Sequence, residues 1–340
     1  MKYKTLLFIS LLIIACQKKN NDTFRLSGTA SVFNDTLLVC STLKDSVIIE
    51  NIKNKNIIFS KKINDTEAIR PQPILDKNNR LYSVFSENKL SCIDIKTNTA
   101  KWTYTTEQKI NAIKCVNDTL IVIGIRDFGL TALNSQTGKP VYHLEESHSS
   151  VCNSSFIIEF TFDKEKLYVS DFQCNTLSAY KLNNGKKIWS YKSDLEGLSK
   201  LLVYNNFIFS GITGNPMKNE GKILLLDKKT GTVLAEENQT FDLIANTIVY
   251  NNNILYYTYD GVLKEFDLEA QKSKTFYKFN KENKPCDSQF HLIGNDLYFE
   301  DCQFNIVRFN LKKKTLKKIE QKKKGLNAVY LYNNEVKFVY

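Results

Sequence analysis

The sequence predicts an all-β fold, a β-propeller of four-stranded blades, with seven full repeats and a composite eighth blade closed by both termini. Three observations lead there. A thirteen-residue pattern recurs seven times along the 340 residues. Each copy has the alternation and turn chemistry of a β-hairpin, and each follows two further apolar segments parted by a polar corner. Hydrophobic residues make up 42% and charged residues 24%, the balance of a folded chain. Five prolines and thirteen glycines exclude collagen-like and linker-dominated architectures. No apolar run reaches the roughly 18 residues that a membrane-spanning helix needs.

The copies are VIIENIKNKNIIF from Val47, LSCIDIKTNTAKW from Leu90, LTALNSQTGKPVY from Leu130, LSAYKLNNGKKIW from Leu177, ILLLDKKTGTVLA from Ile223, LKEFDLEAQKSKT from Leu263 and IVRFNLKKKTLKK from Ile306. Aligned without gaps, the fifth position is Asn51, Asp94, Asn134, Lys181, Asp227, Asp267 and Asn310. The ninth is Lys55, Asn98, Gly138, Gly185, Gly231, Gln271 and Lys314, and the thirteenth is aromatic in the first four copies: Phe59, Trp102, Tyr142 and Trp189. Alternating apolar residues make one strand, Asx and Gly supply the turn, and a second strand follows. Upstream corners such as Asn117–Thr119 and Gly294–Asp296 separate two earlier strands. The unit is thus four antiparallel strands, A to D, in about 43 residues, the period of a propeller blade. Residues 326–340 read as strands A and B alone, and Thr23 to Ser27 precede the first copy with an apolar alternation. Both termini therefore share an eighth blade, with seven blades and a displaced tail as the alternative.

The pattern L-x-A-x-D-x-x-T-G-x-x-x-W, best kept at Leu130–Tyr142, Leu177–Trp189 and Ile223–Ala235, resembles the repeat of the quinoprotein-like (PQQ-like) β-propellers. The resemblance spans nearly the whole chain beyond its N-terminus. It implies a structural role for Asp94, Asp227, Trp102 and Trp189, in turns and between blades. Quinoprotein dehydrogenases of this family use adjacent cysteines, a cofactor-stacking Trp, a calcium and a catalytic Asp. No two cysteines are adjacent here, and both tryptophans fall on the motif position. The expectation is a protein that is not an enzyme and holds no cofactor.

The N-terminus carries an address. Residues 1–15 have Lys2 and Lys4 before an apolar stretch too short to span as a helix, the organisation of a secretory signal peptide. Ile13-Ile14-Ala15-Cys16 resembles the bacterial lipobox, which implies cleavage before Cys16 and lipidation (palmitate among the acyl chains) of its sulfur. Loss of Lys2 and Lys4 would lower the formal net charge from +11 to +9. Residues 16–22 are then the lipidated Cys and a polar tether, and 23–340 a single propeller domain. The expected location is the bacterial cell envelope, lipid-anchored through Cys16, at the outer membrane.

Eight cysteines are present, of which seven remain beyond Cys16. Cys152 and Cys286 each precede a strand A, and Cys174 and Cys302 each sit at the following B-to-C turn. Those places are neighbours in an antiparallel meander, so Cys152–Cys174 and Cys286–Cys302 are candidate disulfides, and export permits them. The alternative is small buried hydrophobes; Cys40, Cys92 and Cys115 read as core thiols. The meander also places every Lys-bearing C-to-D turn on one face, with acids such as Glu145, Asp171, Asp260 and Asp301 on the other. The densest basic run is Lys312, Lys313, Lys314, Lys317, Lys318, Lys322, Lys323 and Lys324. It suits anionic headgroups or an acidic protein surface, or else keeps an outer strand from pairing. The loops best placed to bind are Glu145–Ser155, Gly211–Lys222 and Asn280–Asp287.

His143, His148 and His291 have no recognised metal spacing, and phosphate-loop, nucleophile-elbow and zincin motifs are missing from the sequence. Nucleic acid is not expected as a partner. Propellers of this repeat in envelope lipoproteins resemble the propeller subunit of the machinery that assembles outer-membrane β-barrels, which implies a monomeric, rigid protein-binding scaffold. Alternatives are an immunity-type lipoprotein that blocks a toxin and a quinone-dependent or other small-ligand enzyme.

Overall fold

The computed structural model describes residues 30–34, 36–42, 46–63, 71–126, 128–144, 157–171, 174–195, 198–212, 220–240, 244–258, 260–286, 289–321, 328–332 and 335–339. Seven antiparallel four-stranded sheets, each in meander order, stand in a ring as a seven-bladed propeller. The first runs β1 (Ser31–Phe33), β2 (Leu37–Thr42), β3 (Ser46–Asn51) and β4 (Ile57–Lys62). The second is β5 (Ile74–Leu75), β6 (Arg80–Ser86), β7 (Lys89–Asp94) and β8 (Thr99–Thr105), and the third β9 (Ile110–Cys115), β10 (Leu120–Ile125), β11 (Gly129–Asn134) and β12 (Pro140–Leu144). The fourth is β13 (Ile157–Phe162), β14 (Lys166–Asp171), β15 (Thr176–Lys181) and β16 (Lys187–Lys192), and the fifth β17 (Leu198–Tyr204), β18 (Phe207–Ile212), β19 (Glu220–Asp227) and β20 (Val233–Thr240). The sixth is β21 (Ile244–Tyr250), β22 (Asn253–Thr258), β23 (Val262–Asp267) and β24 (Lys272–Lys278), and the seventh β25 (His291–Ile293), β26 (Asp296–Glu300), β27 (Asn305–Asn310) and β28 (Thr315–Gln321).

A two-stranded sheet of β29 (Ala328–Tyr332) and β30 (Glu335–Val339) follows. First strands of successive blades touch, as β13 does β17 and β17 does β21, so they line the ring's centre. β29 touches both β25 and β1 and fills the place between the seventh and first blades. The N-terminal strand expected at Thr23–Ser27, with the signal peptide and Cys16, lies outside the described residues.

Strands B and C supply the core because both their faces are covered by neighbouring blades. Leu120–Ile125 is buried at every residue, as is Leu167–Asp171. The D strands alternate: Thr99–Thr105 is exposed or half-buried throughout.

Each D strand also contains one extra residue relative to its C strand. The unpaired residue is Ile58, Lys101, Val141, Ile188, Leu234, Phe276 or Ile319 in the seven blades. Such a bulge bends an edge strand and turns one side chain away from the sheet. Among the described residues, five of these bulge residues, from Ile188 at 38% to Ile58 at 48%, are exposed, and Ile57 is the one other exposed large aliphatic side chain of the outer strands.

Candidate functional site

The thirteen-residue pattern builds a turn and a seam between blades. In six blades the fifth-position Asx carboxyl or amide oxygen accepts N–H groups of its own turn: Asp227 Oδ1 takes those of Lys229 (2.9 Å) and Thr230 (2.7 Å). Those bonds, with the Thr230 hydroxyl, hold the Asp227 carboxyl below its ordinary value. The ninth residue has positive φ in every copy: Lys55 (61°), Asn98 (54°), Gly138 (70°), Gly185 (68°), Gly231 (74°), Gln271 (53°) and Lys314 (52°).

The aromatic of one blade reaches the turn of the next. Trp102 Nε1 donates to Ser135 O (2.9 Å), Tyr142 Oη to Leu182 O (2.9 Å) and Trp189 Nε1 to Lys228 O (3.2 Å). The same ring lies on the next blade's glycine, so a Cβ at Gly138 would stand 2.6 Å from Trp102 and one at Gly231 2.5 Å from Trp189. The resemblance's structural reading of Asp94, Asp227, Trp102 and Trp189 agrees with this geometry.

The charge sorting expected from the sequence needs correction. The A-to-B corners share the face of the lysine turns and carry Asp76, Asp118, Asp163 and Asp296, which the sequence reading left out. Lys77 pairs with Asp118 at 2.5 Å, Lys228 with Asp163 at 3.1 Å and Arg308 with Asp296 at 2.6 Å. Burial pushes the Asp163 carboxyl up, but N–H groups of Glu165 and Lys166, the Tyr168 hydroxyl (2.8 Å) and Lys228 outweigh it and hold it below its ordinary value. Asp76 likewise binds Arg80 Nε (2.7 Å) and Tyr82 Oη (3.1 Å). Part of the basic charge on this face is therefore matched.

The other expected site residues separate. Lys312, Lys313 and Lys314 are in the last C-to-D turn, with Lys314 Nζ 4.8 Å from the Phe276 ring centre. Lys317 and Lys318 lie on β28, and Lys318 Nζ is 3.6 Å from the buried Asp301 carboxylate. Lys322, Lys323 and Lys324 lie outside the described residues. The described part of the run is thus divided between a turn and a strand.

Cys286 and Cys302 are joined by a disulfide with Cα atoms 4.8 Å apart. It closes the turn against the bridge between Pro285 and Asp301. Cys174 is also disulfide-bonded, and Cys152 lies outside the described residues. Nonreducing peptide mapping is expected to link 286 with 302 and 152 with 174; free thiols at 152 and 174 would refute the second link. Cys40 and Cys92 are buried free thiols, and Cys115 is a half-buried free thiol packed against the core cluster that holds Cys92. Burial pushes Cys40 up to about 12 and Cys92 to about 11, so neither is a ready nucleophile at neutral pH.

Of the histidines, His148 lies outside the described residues, as does the Glu145–Ser155 loop. His143 Nδ1 is 2.7 Å from Thr131 Oγ1 across β11 and β12. Ser91 with Thr103 (3.1 Å) and Ser178 with Ser190 (2.9 Å) make the same C-to-D pair in the flanking blades, so this position is structural. His291 is half-buried, and burial lowers its basicity. Among the described residues, no group of three His, Cys, Asp or Glu is placed to hold a metal.

A cleft of about 1010 Å³ crosses the lysine-turn face from the third blade to the fifth. Leu120, Val141, Leu182 and Ile188 give it apolar walls, and Lys164, Lys166, Lys181 and Lys229 give it cations with Glu165 as the acid.

A family model for the outer membrane protein assembly factor BamB matches residues 62–196. Among solved structures, the computationally designed Ika8 protein aligns with a TM-score of 0.70 and 12% identity over 94% of each chain. BamB from Moraxella catarrhalis aligns with a TM-score of 0.64 and 16% identity over 83% of this chain and 84% of that one. No curated protein matches the sequence. Repeat, ring and seam together make this chain a PQQ-like β-propeller, distantly similar to BamB.

Proposed function

We propose that this protein is a non-catalytic, lipid-anchored scaffold of the bacterial envelope that binds a partner protein through turns on the propeller's faces. The observation that carries this reading is the match of residues 62–196 to a family described as an outer membrane protein assembly factor. The seam supports it. Rings locked onto the next blade's turns hold the faces rigid, and a preformed surface loses little conformational entropy on binding. The anchor reading rests on residues 1–16, with Cys16 as the lipidated residue.

Two measurements test it. Crosslinking of the native protein in intact envelopes, followed by pull-down and mass spectrometry, is expected to give a stoichiometric protein partner. A monomer eluting with a bound chromophore would overturn the scaffold reading and favour a small-ligand enzyme. Cys16→Ala is expected to move the chain from the membrane to the soluble fraction, because one non-lipidated tether offers no acyl chain to bury. Unchanged membrane association would overturn the anchor.

A further inference from the structure

The fourth blade breaks the repeat where the cleft lies. At the fifth position of the pattern, six blades place an Asx whose oxygen caps its own turn, while the fourth places Lys181. Its turn keeps the backbone bonds, Gly185 N to Lys181 O at 2.9 Å and Lys181 N to Lys186 O at 2.8 Å, but lacks that side-chain cap. Asn184 Oδ1 takes over by accepting Lys186 N–H at 3.0 Å. Strand register makes the substitution costlier. Lys166 stands directly opposite Lys181 on β14 and β15, whereas in the second blade Arg80 stands opposite Asp94. Like charges facing each other across a strand pair destabilise it. A local rule broken at a structural cost, without a structural gain, marks a functional position.

Both of these lysines line the cleft, and two more cations, Lys164 and Lys229, stand beside it. Lys164, Lys181 and Lys229 are exposed and, among the described residues, make no ion pair. Lys166 donates to Lys228 O at 3.3 Å and meets the Asp227 carboxylate only as a through-space attraction, not as an ion pair in contact. Between them the bulges of β12 and β16 turn Val141, 47% exposed, and Ile188, 38% exposed, toward the groove. Cations and aliphatic side chains together line a groove that crosses three blades.

We propose that this cleft is the docking site for an acidic, aliphatic-rich extended segment of a partner protein, with a carboxylate seated between Lys166 and Lys181. The proposal rests on the scaffold reading and names where and what the scaffold binds. An anion there offsets the repulsion between the facing Lys166 and Lys181, and aliphatic side chains cover Val141 and Ile188. The bulges deny the segment a regular strand edge to pair with, so recognition runs through side chains.

The test uses the full chain and a dye-labelled peptide of alternating Asp and Leu, read by fluorescence anisotropy. Peptides of alternating Asp and Ser, and of alternating Lys and Leu, serve as comparisons. Lys181→Asp restores the Asx of the other six blades, so it folds at least as stably as the parent, which urea unfolding checks. It is expected to weaken Asp–Leu binding about ten-fold or more, while Lys96→Asp, the same charge change in the second blade, stays within about two-fold. Ile188→Ser is expected to weaken Asp–Leu binding and leave the weaker Asp–Ser binding unchanged.

Equal binding by Lys181→Asp and the parent, or an equal loss in Lys96→Asp, would overturn the proposal. So would cosedimentation with phosphatidylglycerol vesicles that depends on Lys181 while the peptide fails to bind, which would make the occupant a lipid headgroup. A partner captured from envelopes whose crosslinking ignores Lys181→Asp would remove the cleft and keep the scaffold. A chromophore-bearing monomer would remove the scaffold itself.

Discussion

Gly231→Ala is expected to lose about 2–5 kcal/mol of unfolding free energy in urea, through two separable costs. The first is conformational. Gly231 has φ of 74°, and an L-residue there pays roughly 1–2 kcal/mol. The second is steric, because the new Cβ would stand 2.5 Å from the Trp189 ring, which is fixed on its far side by the bond from Nε1 to Lys228 O. Overpacking of that kind adds roughly 1–3 kcal/mol. Gly294→Ala separates the two, since Gly294 has φ of 60° and nothing within 4 Å of a built Cβ. It should show the conformational cost alone. Equal losses in the two variants would mean that the ring does not bear on the glycine.

Asp301→Ala is expected to cost about 2–4 kcal/mol, the larger part from donors left buried without an acceptor. The Asp301 carboxylate is fully buried. Its Oδ1 accepts the N–H groups of Gln303 (2.9 Å) and Asn305 (2.9 Å), and Oδ2 accepts Asn305 Nδ2 at 2.7 Å. The turn also holds Phe304 at φ of 61°, a conformation unusual for a bulky residue, with its ring 54% exposed. The disulfide from Cys302 to Cys286 restrains the same turn. Urea unfolding with and without reductant should therefore show a greater loss for Asp301→Ala than for Asp301→Asn in both conditions, because Asn keeps one acceptor oxygen. Identical unfolding of the parent and Asp301→Ala would refute this role.

The repeat was legible because its determinants are local. Asx at the fifth position and Gly or Asn at the ninth are demanded by one turn, and a gapless alignment exposes them even where Lys55, Gln271 and Lys314 stand in for Gly at the same positive φ. Strands 328–332 and 335–339 were legible for the same reason, as the first half of the next repeat. What escaped was anything set by two blades at once. Asp118 and Asp163 sit in corners that look like ordinary polar turns, and only the packing shows them facing Lys77 and Lys228 of the neighbouring blades. The cleft escaped too. Lys181 was visible as a departure from Asx, yet its meaning depends on Lys166 opposite it and on Ile188 being turned outward by a bulge. Sequence alternation carries no mark of that bulge, since the extra residue is counted only against the partner strand.

Those bulges bear on how such molecules behave when crowded on a two-dimensional surface. A ring of sheets offers an outermost strand at every blade, and the proposed anchor, if it holds the protein on a membrane, would raise the chance that two rims collide repeatedly in the same plane. Each described outer strand loses its hydrogen-bonding rhythm after a few residues, so a neighbour's rim finds no continuous ladder to extend. Dense packing of the protein then yields brief collisions in place of sheet-to-sheet polymers, and the turn-bearing faces stay open to other molecules.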